Sequence, residues 1–336
     1  MTRLVTTELT RFFSRSLLWG LAIGAVVLAA FAPFAAWQGS SPASAAEIAE
    51  AQLQVDSFEP MTGEDLEACL ESDRQYLEEF PEEAEGFESG CSWEPTLADF
   101  LPTRSYFDTD AFETVAGVAV PLALLALVMG ASFVAAEFST GAIGNWLTFA
   151  PRRGRVYASK LTAAAVGVVP AAVVALVVLL GGTSSAFAVH DARQAPENHW
   201  DDDRRTVADV LELGGRIAAL VVGVALAGAA LGFLLRHTAA VLGTIVGWAA
   251  VVEGYVGMTF DGVRPYLLSL NVQAWVNGGA SYWTEKCAPD PDQGNAVVCQ
   301  SVEQLVSQTH GAVVLGIVGV LCLAAAWFVF RRRDVA

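Results

Sequence analysis

The stretch Glu137–Lys160, EFSTGAIGNWLTFAPRRGRVYASK, is a polar interruption between two long uncharged runs, Thr114–Ala136 and Leu161–Val189. A helix that crosses a bilayer needs about 20 apolar residues, and both runs reach that length. Four further runs share this character: Leu17–Ala36, Ile217–Leu235 and Gly311–Phe330 are uncharged, and Thr238–Phe260 contains only Glu253. Because a helix satisfies its own backbone hydrogen bonds in lipid, the sequence predicts an all-α integral membrane protein with six transmembrane helices.

The composition supports this class. Of the 336 residues 54% are hydrophobic and 16% are charged, against about 25% charged in a soluble domain. The net charge of −17 arises between Gln38 and Phe112, where 19 acidic and 2 basic residues stand. The remainder is neutral, so no nucleic-acid-binding surface is expected.

The basic residues predict the orientation of the chain. They cluster near four span ends: Arg3, Arg11 and Arg15; Arg152, Arg153, Arg155 and Lys160; Arg236; and Arg331, Arg332 and Arg333. Lys and Arg concentrate on the cytoplasmic side of membrane proteins, and six spans place these four sites on one side. Both termini are therefore predicted to be cytoplasmic, with a long acidic extracellular loop between helices 1 and 2.

The predicted organisation has twelve segments. They are an interfacial amphipathic helix at 1–16, the first span at 17–37, the acidic extracellular loop at 38–112, the second span at 113–136, a cytoplasmic coupling loop at 137–160, the third span at 161–189, an extracellular loop at 190–208, the fourth span at 209–235, the fifth span at 238–260, an extracellular re-entrant or loop region at 261–308, the sixth span at 309–330 and a cytoplasmic tail at 331–336.

Three of these segments allow other interpretations. The start of the chain resembles a signal peptide that ends at Ala43-Ser44-Ala45, but the run Leu17–Ala36 exceeds the 7–15 residues of a signal core, so a retained span is expected. In residues 1–16 the basic side, with Arg11 and Arg15, is expected to face lipid headgroups or a partner, unless the segment is a plain basic flank. The acidic loop is either a small folded cap, which could recruit cationic substrates, or a solvated, repulsive surface.

Cysteines and intramembrane charges give further expectations. Cys69 and Cys91 share the first extracellular segment, and Cys287 and Cys299 share the last. This confinement suggests two disulfides in an oxidising compartment, with free thiols as the alternative.

Glu253 and Arg216 lie at matching depths, so they are predicted to form an intramembrane pair. A polar cavity wall or proton coupling at Glu253 stays open.

No motif for chemistry is present in the chain. Lys160 and Lys286 are the only lysines, and they follow Ser159 and Glu285, so the Gly-Lys of a P-loop is missing. The four histidines form no H-E-x-x-H pattern. The chain is therefore not expected to be an enzyme, or to hold a cofactor or metal.

The opening stretch predicts a short amphipathic helix at Phe138–Ala150. Its apolar residues fall on one face and Pro151 ends it. This helix would lie at the cytoplasmic surface with side chains available to a soluble partner. Trp146 and Phe149 could instead anchor it in the lipid interface.

Three stretches together resemble the membrane subunit of a type-2 ATP-binding cassette exporter. AEFSTGAIGNWLTFAPRRGRVYASKL resembles that family's loop between spans two and three, TTELTRFFSRSLLWG its N-terminal interfacial helix, and RPYLLSLNVQAWVNGG its segment between spans five and six. The six-span layout extends the resemblance over nearly the whole chain. The long acidic first loop departs from the shorter loop that is commoner in the family.

The resemblance implies a permease that works with partners. A separate ATPase subunit, which binds ATP and Mg, would dock at the loop between spans two and three, and a second permease subunit would complete the transporter in membrane lipid, in the bacterial inner (plasma) membrane. Export of a hydrophobic or amphipathic substrate is expected. The residues expected to couple the ATPase are Glu137, Phe138, Trp146, Leu147 and Arg152. A non-transporting scaffold, sensor or immunity protein, and an ion-coupled secondary transporter that uses Glu253, are the alternatives.

Overall fold

A computed structural model describes residues 2–81, 87, 89–144, 152–196, 203–290 and 296–332. The chain divides into two compact units, a main unit of residues 1–38 and 105–336 and a loop unit of residues 39–104. The boundary falls within α3, Phe31–Ser40.

Helices dominate the described residues. Their bounds are α1 Thr2–Phe13, α2 Ser16–Ala29, α3 Phe31–Ser40, α4 Ala45–Asp56, α5 Glu64–Glu79, α6 Leu97–Phe100, α7 Phe107–Ala116, α8 Ala119–Ser139, α9 Arg153–Leu176, α10 Gly182–Val189, α11 Val207–Leu235, α12 Thr238–Trp248, α13 Gly257–Thr259, α14 Leu268–Asn277 and α15 Gln308–Arg332. Wider π-helical turns join α9 to α10 at Val177–Gly181 and α12 to α13 at Ala249–Val256.

Six helices among the described residues are long and apolar enough to cross a membrane, which confirms the predicted class. They are TM1 Ser16–Ser40, TM2 Phe107–Ser139, TM3 Arg153–Val189, TM4 Val207–Leu235, TM5 Thr238–Thr259 and TM6 Gln308–Arg332. TM2 and TM4 are the most buried of the six, and TM5 and TM6 the most exposed.

TM2 and TM4 pack at very short range because glycines stand where they cross. A Cβ atom on Gly130 would lie 2.0 Å from the Ala225 carbonyl oxygen, and one on Gly228 would lie 2.1 Å from that of Leu127. Small residues allow such close helix approach in membranes. The pair therefore forms the centre of the main unit, around which TM1, TM3 and TM6 pack.

Two spans begin earlier than the hydropathy pattern predicts. TM3 starts at Arg153 instead of residue 161, so Lys160 lies two turns inside the helix. TM2 starts at Phe107 instead of residue 113, with Asp108 and Asp110 in its first turn. Acidic groups in a first turn are favourable because they face the positive end of the helix dipole.

A β-hairpin stands where a re-entrant or loop region was predicted at 261–308, so the described residues form a small sheet in addition to the predicted helices. β1, Gly279–Asp290, pairs antiparallel with β2, Ala296–Ser307, and Cys287 lies opposite Cys299. These two cysteines form a disulfide, as predicted. The hairpin packs on α14 through Ala280, Tyr282 and Val306.

The loop unit folds into short helices. The predicted Cys69–Cys91 disulfide forms and joins α5 to a 3₁₀ turn at Gly90–Ser92. Capping boxes begin α4 and α6, where Glu47 accepts from the backbone and hydroxyl of Ser44 and Asp99 accepts likewise from Thr96. Because Cys69 and Cys91 are bonded to each other, their convergence with Asp73 offers no thiolate pair to a metal.

Candidate functional site

A buried ionic cluster joins α1, TM2 and TM3 at one end of the main unit. Lys160 of TM3 donates to Glu8 Oε2 of α1 at 2.9 Å and to Glu137 Oε2 at the end of TM2. The side chains of Lys160 and Glu8 are fully buried, and that of Glu137 is 3% exposed. One ammonium group therefore holds two carboxylates from two other elements.

Two arginines complete this cluster. Arg15 lies 3.3 Å from Glu137 Oε1 and donates to the carbonyl oxygens of Ser132 at 3.1 Å and Phe133 at 2.9 Å. Arg11 lies 3.8 Å from Glu8 Oε1 and 3.9 Å from Glu137 Oε1. Three cationic and two anionic side chains leave one net positive charge.

An aromatic ring separates this cluster from the apolar interior. Lys160 Nζ and Arg15 Cζ lie 5.3 and 5.4 Å from the centre of the Phe133 ring, within range of a cation–π interaction. The ring is fully buried. Ion pairs are weakly screened by solvent in such surroundings, and loss of one partner costs about 3–5 kcal/mol because the other charge stays buried.

The packing of α1 explains why its polar side turns inward. Gly167 of TM3 has no side chain, and the Phe12 ring occupies the space, 2.8 Å from where a Cβ would stand. Phe12 is thereby buried, and Glu8, one turn before it, reaches Lys160. The basic side of residues 1–16 was predicted to face headgroups or a partner, but Glu8, which lies on the same side of the helix, is buried in the cluster. Arg11 and Arg15 turn partly toward the cluster and stay partly exposed.

The predicted coupling residues Glu137, Phe138 and Arg152 lie in three different environments. Glu137 belongs to the cluster and is too buried for direct contact with a docked protein. Phe138 lies in the last turn of TM2, where its ring packs against Phe233 at 5.8 Å, so it does not belong to a separate docking helix. Arg152 is exposed and directly precedes TM3.

The centre of the predicted coupling helix, with Trp146 and Leu147, lies outside the described residues. Its start is seen: TM2 ends at Ser139, Gly141 has a φ of 69°, and a helical turn follows at 142–144. A positive φ suits glycine and turns the chain sharply away from TM2. The predicted helix therefore cannot run unbroken from Phe138.

TM3 is also fixed to the end of TM6. Arg153 donates to the carbonyl oxygens of Phe330 and Arg331, each at 3.1 Å, and the Tyr157 hydroxyl donates to Leu323 O at 2.6 Å. A cation suits the negative end of a helix dipole. A displacement at the start of TM3 would thus reach both the ionic cluster and TM6.

The predicted pair of Arg216 and Glu253 does not form. Glu253 accepts from Trp248 Nε1 at 3.0 Å, from the backbone amides of Leu268 and Ser269 at 2.9 and 3.1 Å, and from the Ser269 hydroxyl. These amides begin α14, so Glu253 caps that helix from the π-helical turn of TM5.

Arg216 of TM4 binds the other end of α14. It donates to the carbonyl oxygen of Val276 at 3.1 Å and pairs with Glu212 at 2.5 Å, and Trp275 Nε1 donates to its backbone oxygen at 3.0 Å. The two charged residues hold opposite ends of the same ten-residue helix. Each has the sign that suits its end of the helix dipole.

Sequence reasoning missed Glu8 and Lys160 as members of a buried site. Both were assigned to segments outside the bilayer. A usable signal existed, because Glu137 and Lys160 directly follow and precede the uncharged runs of two adjacent spans. Their positions at the ends of adjacent spans predict a pair in the same way as the matching depths of Arg216 and Glu253 did.

Comparison with known proteins gave no family model, no curated protein and no solved structure that matches this chain. The fold itself defines the class, a multipass membrane protein with six candidate spans.

Proposed function

We propose that this chain is the membrane-spanning permease subunit of an ATP-binding cassette transporter, an exporter of hydrophobic or amphipathic substrates. A separate ATPase subunit would bind ATP and Mg and dock at the segment between TM2 and TM3. A second permease subunit would complete the transporter in the bacterial inner membrane, with both termini and this segment in the cytoplasm.

The observation that carries the proposal is the ionic cluster at the base of that segment. Glu137 and Lys160 stand on either side of residues 138–159 and bind each other, while Glu8 ties α1 to the same ammonium group. A force on the segment would therefore move TM2, TM3 and α1 as one body. That is the requirement for transmitting a movement from a soluble motor into the membrane.

ATP binding can drive such a change only if the partner contacts differ between two states of the permease. Exposed Arg152 and, by the sequence pattern, Trp146 and Leu147 would make those contacts. Glu137, Lys160 and Glu8 act behind them as positioning residues. Lys160→Met would therefore weaken coupling without removing any side chain that touches the ATPase.

Two observations bear on the competing functions. Glu253 is saturated by four donors and caps α14, which argues against a proton carrier in a secondary transporter. A scaffold or sensor would need no rigid link between the segment and three other elements. The link favours a protein that transmits movement.

The experiment is co-purification with identification of the partner. A tagged protein should bring down a chain with a Walker A motif, and its ATP hydrolysis should respond to substrate. Trp146→Glu should abolish this association. Trp283→Glu, on an exposed tryptophan of β1, should not. If the unaltered protein binds no ATPase and Trp146→Glu leaves transport unchanged, the proposal is wrong.

A further inference from the structure

An apolar cleft of about 270 Å³ lies between α1, TM1, TM2 and TM3. All the residues that line it are apolar, among them Phe12, Trp19, Ala22, Met129, Gly167 and Val174. Phe12 and Met129, which line its inner part, are buried, whereas Trp19, Ile23 and Val174 are more than half exposed. The cleft thus leads from the surface of the spans into the interior.

The walls of this cleft are held in place. Trp19 Nε1 donates to the carbonyl oxygen of Phe13 at 2.8 Å, which fixes the indole at the corner between α1 and TM1. Phe12 is fixed against Gly167. The indole N–H already donates a hydrogen bond within the protein, so an occupant of the cleft needs no polar atom to pair with it.

Positive charge lies at the α1 end of the cleft. Arg11 directly precedes Phe12 and Phe13, and its side chain is 37% exposed. Arg11 is itself a member of the ionic cluster, whose formal charges sum to one positive charge with Arg11 included, and exposed Arg3 belongs to the same helix. An amphipathic molecule with an anionic head and an apolar chain matches this combination of cleft and charge.

Size and shape favour one flexible chain over other occupants. Sites for whole drug-sized ligands occupy about 300–1,000 Å³, and this cleft is smaller. Close packing of a helix from a second copy prefers small residues. Open glycine pairs, with no atom near either Cβ position, lie at Gly20 and Gly24 of TM1 and at Gly243 and Gly247 of TM5. The cleft itself has large side chains such as Trp19 at its rim, and association of a second copy there is one outcome of the test below.

We propose that this cleft binds one acyl chain of an anionic phospholipid, whose phosphate lies at Arg11. The bound lipid would fill the space between α1 and TM1–TM3 beside the ionic cluster. This site does not depend on the transport function proposed above, because a scaffold with the same fold would bind the lipid equally.

The test is photolabelling of the full chain in phosphatidylcholine vesicles. The probe is phosphatidylglycerol with a diazirine in its acyl chain, and phosphatidylcholine with the same group is its zwitterionic counterpart. Labelled peptides are identified by mass spectrometry. Phosphatidylglycerol should label residues 12–26 and 167–174 preferentially.

Two kinds of variant distinguish the contribution of the lipid's acyl chain to binding from that of its headgroup. Ala22→Phe fills the cleft and should abolish any preference of either probe for residues 12–26 and 167–174 over the rest of the chain. Val174→Phe, at the exposed rim of the cleft, should have the same effect and serves if Ala22→Phe fails to fold. Ala324→Phe, on the exposed side of TM6, is the matched control and should change nothing. Arg11→Gln should lower labelling by phosphatidylglycerol about fivefold, the effect of one arginine near an anionic surface, and leave phosphatidylcholine unchanged.

Three results would overturn the proposal. Equal labelling of the exposed side of TM6, without an effect of Ala22→Phe and Val174→Phe, would mean that only bulk lipid is seen. Crosslinks between two copies at residues 12–26 would mean that a second chain covers the cleft. Equal labelling by the two probes in the unaltered protein would remove the role of the anionic headgroup.

Discussion

Charged side chains have different kinds of partner at the two ends of the main unit. At the α1 end, Lys160 binds two carboxylates directly. At the opposite end, Glu253 and Arg216 each bind the backbone at one end of α14. Helix termini leave unpaired N–H and C=O groups, which can take the place of a counter-ion. An isolated charge in an apolar run therefore does not imply an opposite charge nearby.

The largest expected effect is at Lys160. Lys160→Met leaves Glu8 and Glu137 buried with a reduced set of partners, so the free energy of unfolding should fall by about 3–5 kcal/mol. Denaturant unfolding of the purified protein measures this. Lys286→Met, at the other, exposed lysine, is the control. Combining Lys160→Met with Glu8→Gln and Glu137→Gln should recover much of the lost free energy of unfolding. If Lys160→Met proved as stable as the control Lys286→Met, the buried cluster would be contradicted.

Double-mutant cycles test the comparison directly. Lys160→Met and Glu137→Gln should show a coupling energy of about 0.5–3 kcal/mol because their side chains touch. Arg216→Met and Glu253→Gln should add within about 0.5 kcal/mol, since these side chains bind opposite ends of α14. If the coupling energy of Arg216 and Glu253 were as large as that of Lys160 and Glu137, the two residues would have to form a direct ion pair after all.

Glu253→Gln should cost about 1–3 kcal/mol, because it removes the charge from the cap and weakens its hydrogen bonds. The loss should be local. Hydrogen exchange of the Leu268 and Ser269 amides should speed up, while that of α1 should not. Glu303→Gln, at an exposed position of β2, serves as the control, and unchanged exchange at α14 would refute the cap.

The smallest effect is expected in the loop unit, where the carboxylates are exposed. Hydrogen bonds from the hydroxyl and backbone of Ser44 lower the pKa of Glu47, and those from the backbone and hydroxyl of Thr96 lower the pKa of Asp99. Since folding lowers both values, these caps stabilise the unit above the unfolded pKa values, about 4.3 for Glu and 3.9 for Asp. The stabilisation is lost as the pH falls through the folded values.

Carboxyl ¹³C shifts followed against pH measure these titrations. Ser44→Ala should raise the pKa of Glu47 and leave that of Asp99 unchanged, and Thr96→Ala should do the reverse. An unchanged Glu47 titration in Ser44→Ala would show that the hydroxyl is not the cause.

The spans were predictable because lipid imposes a simple length and polarity rule. Their starts were less so. A hydropathy window excludes Lys160 and Asp108 from a span, yet each lies inside a helix because a partner from elsewhere in the chain binds it, Glu8 in one case and Arg204 at 3.2 Å in the other. Glu8 and Arg204 lie about a hundred or more residues from their partners, so local pattern cannot identify them; only Glu137, the nearer partner of Lys160, had a signal in the sequence.

The sequence of the hairpin contains a pattern that predicts two paired strands. Ser281-Tyr282-Trp283-Thr284 and Val297-Val298 are rich in strand-forming residues, and Gly294-Asn295 between them is a turn-type pair. The disulfide at Cys287 and Cys299 was expected, and it crosses the two strands. The contacts of Glu253 and Arg216 had no comparable signal, because backbone amides and carbonyls carry no mark in a sequence.

The ionic cluster also has a consequence for how the protein is made. Glu8 leaves the ribosome first, but its partner Lys160 stands 152 positions later. At about 5–20 residues per second of synthesis, roughly 8–30 s pass before the ammonium group exists. During that interval α1 has no site to occupy, so its final placement follows the insertion of TM3. Helix α1 is thus synthesised before TM2 and TM3 but reaches its position only after both of them.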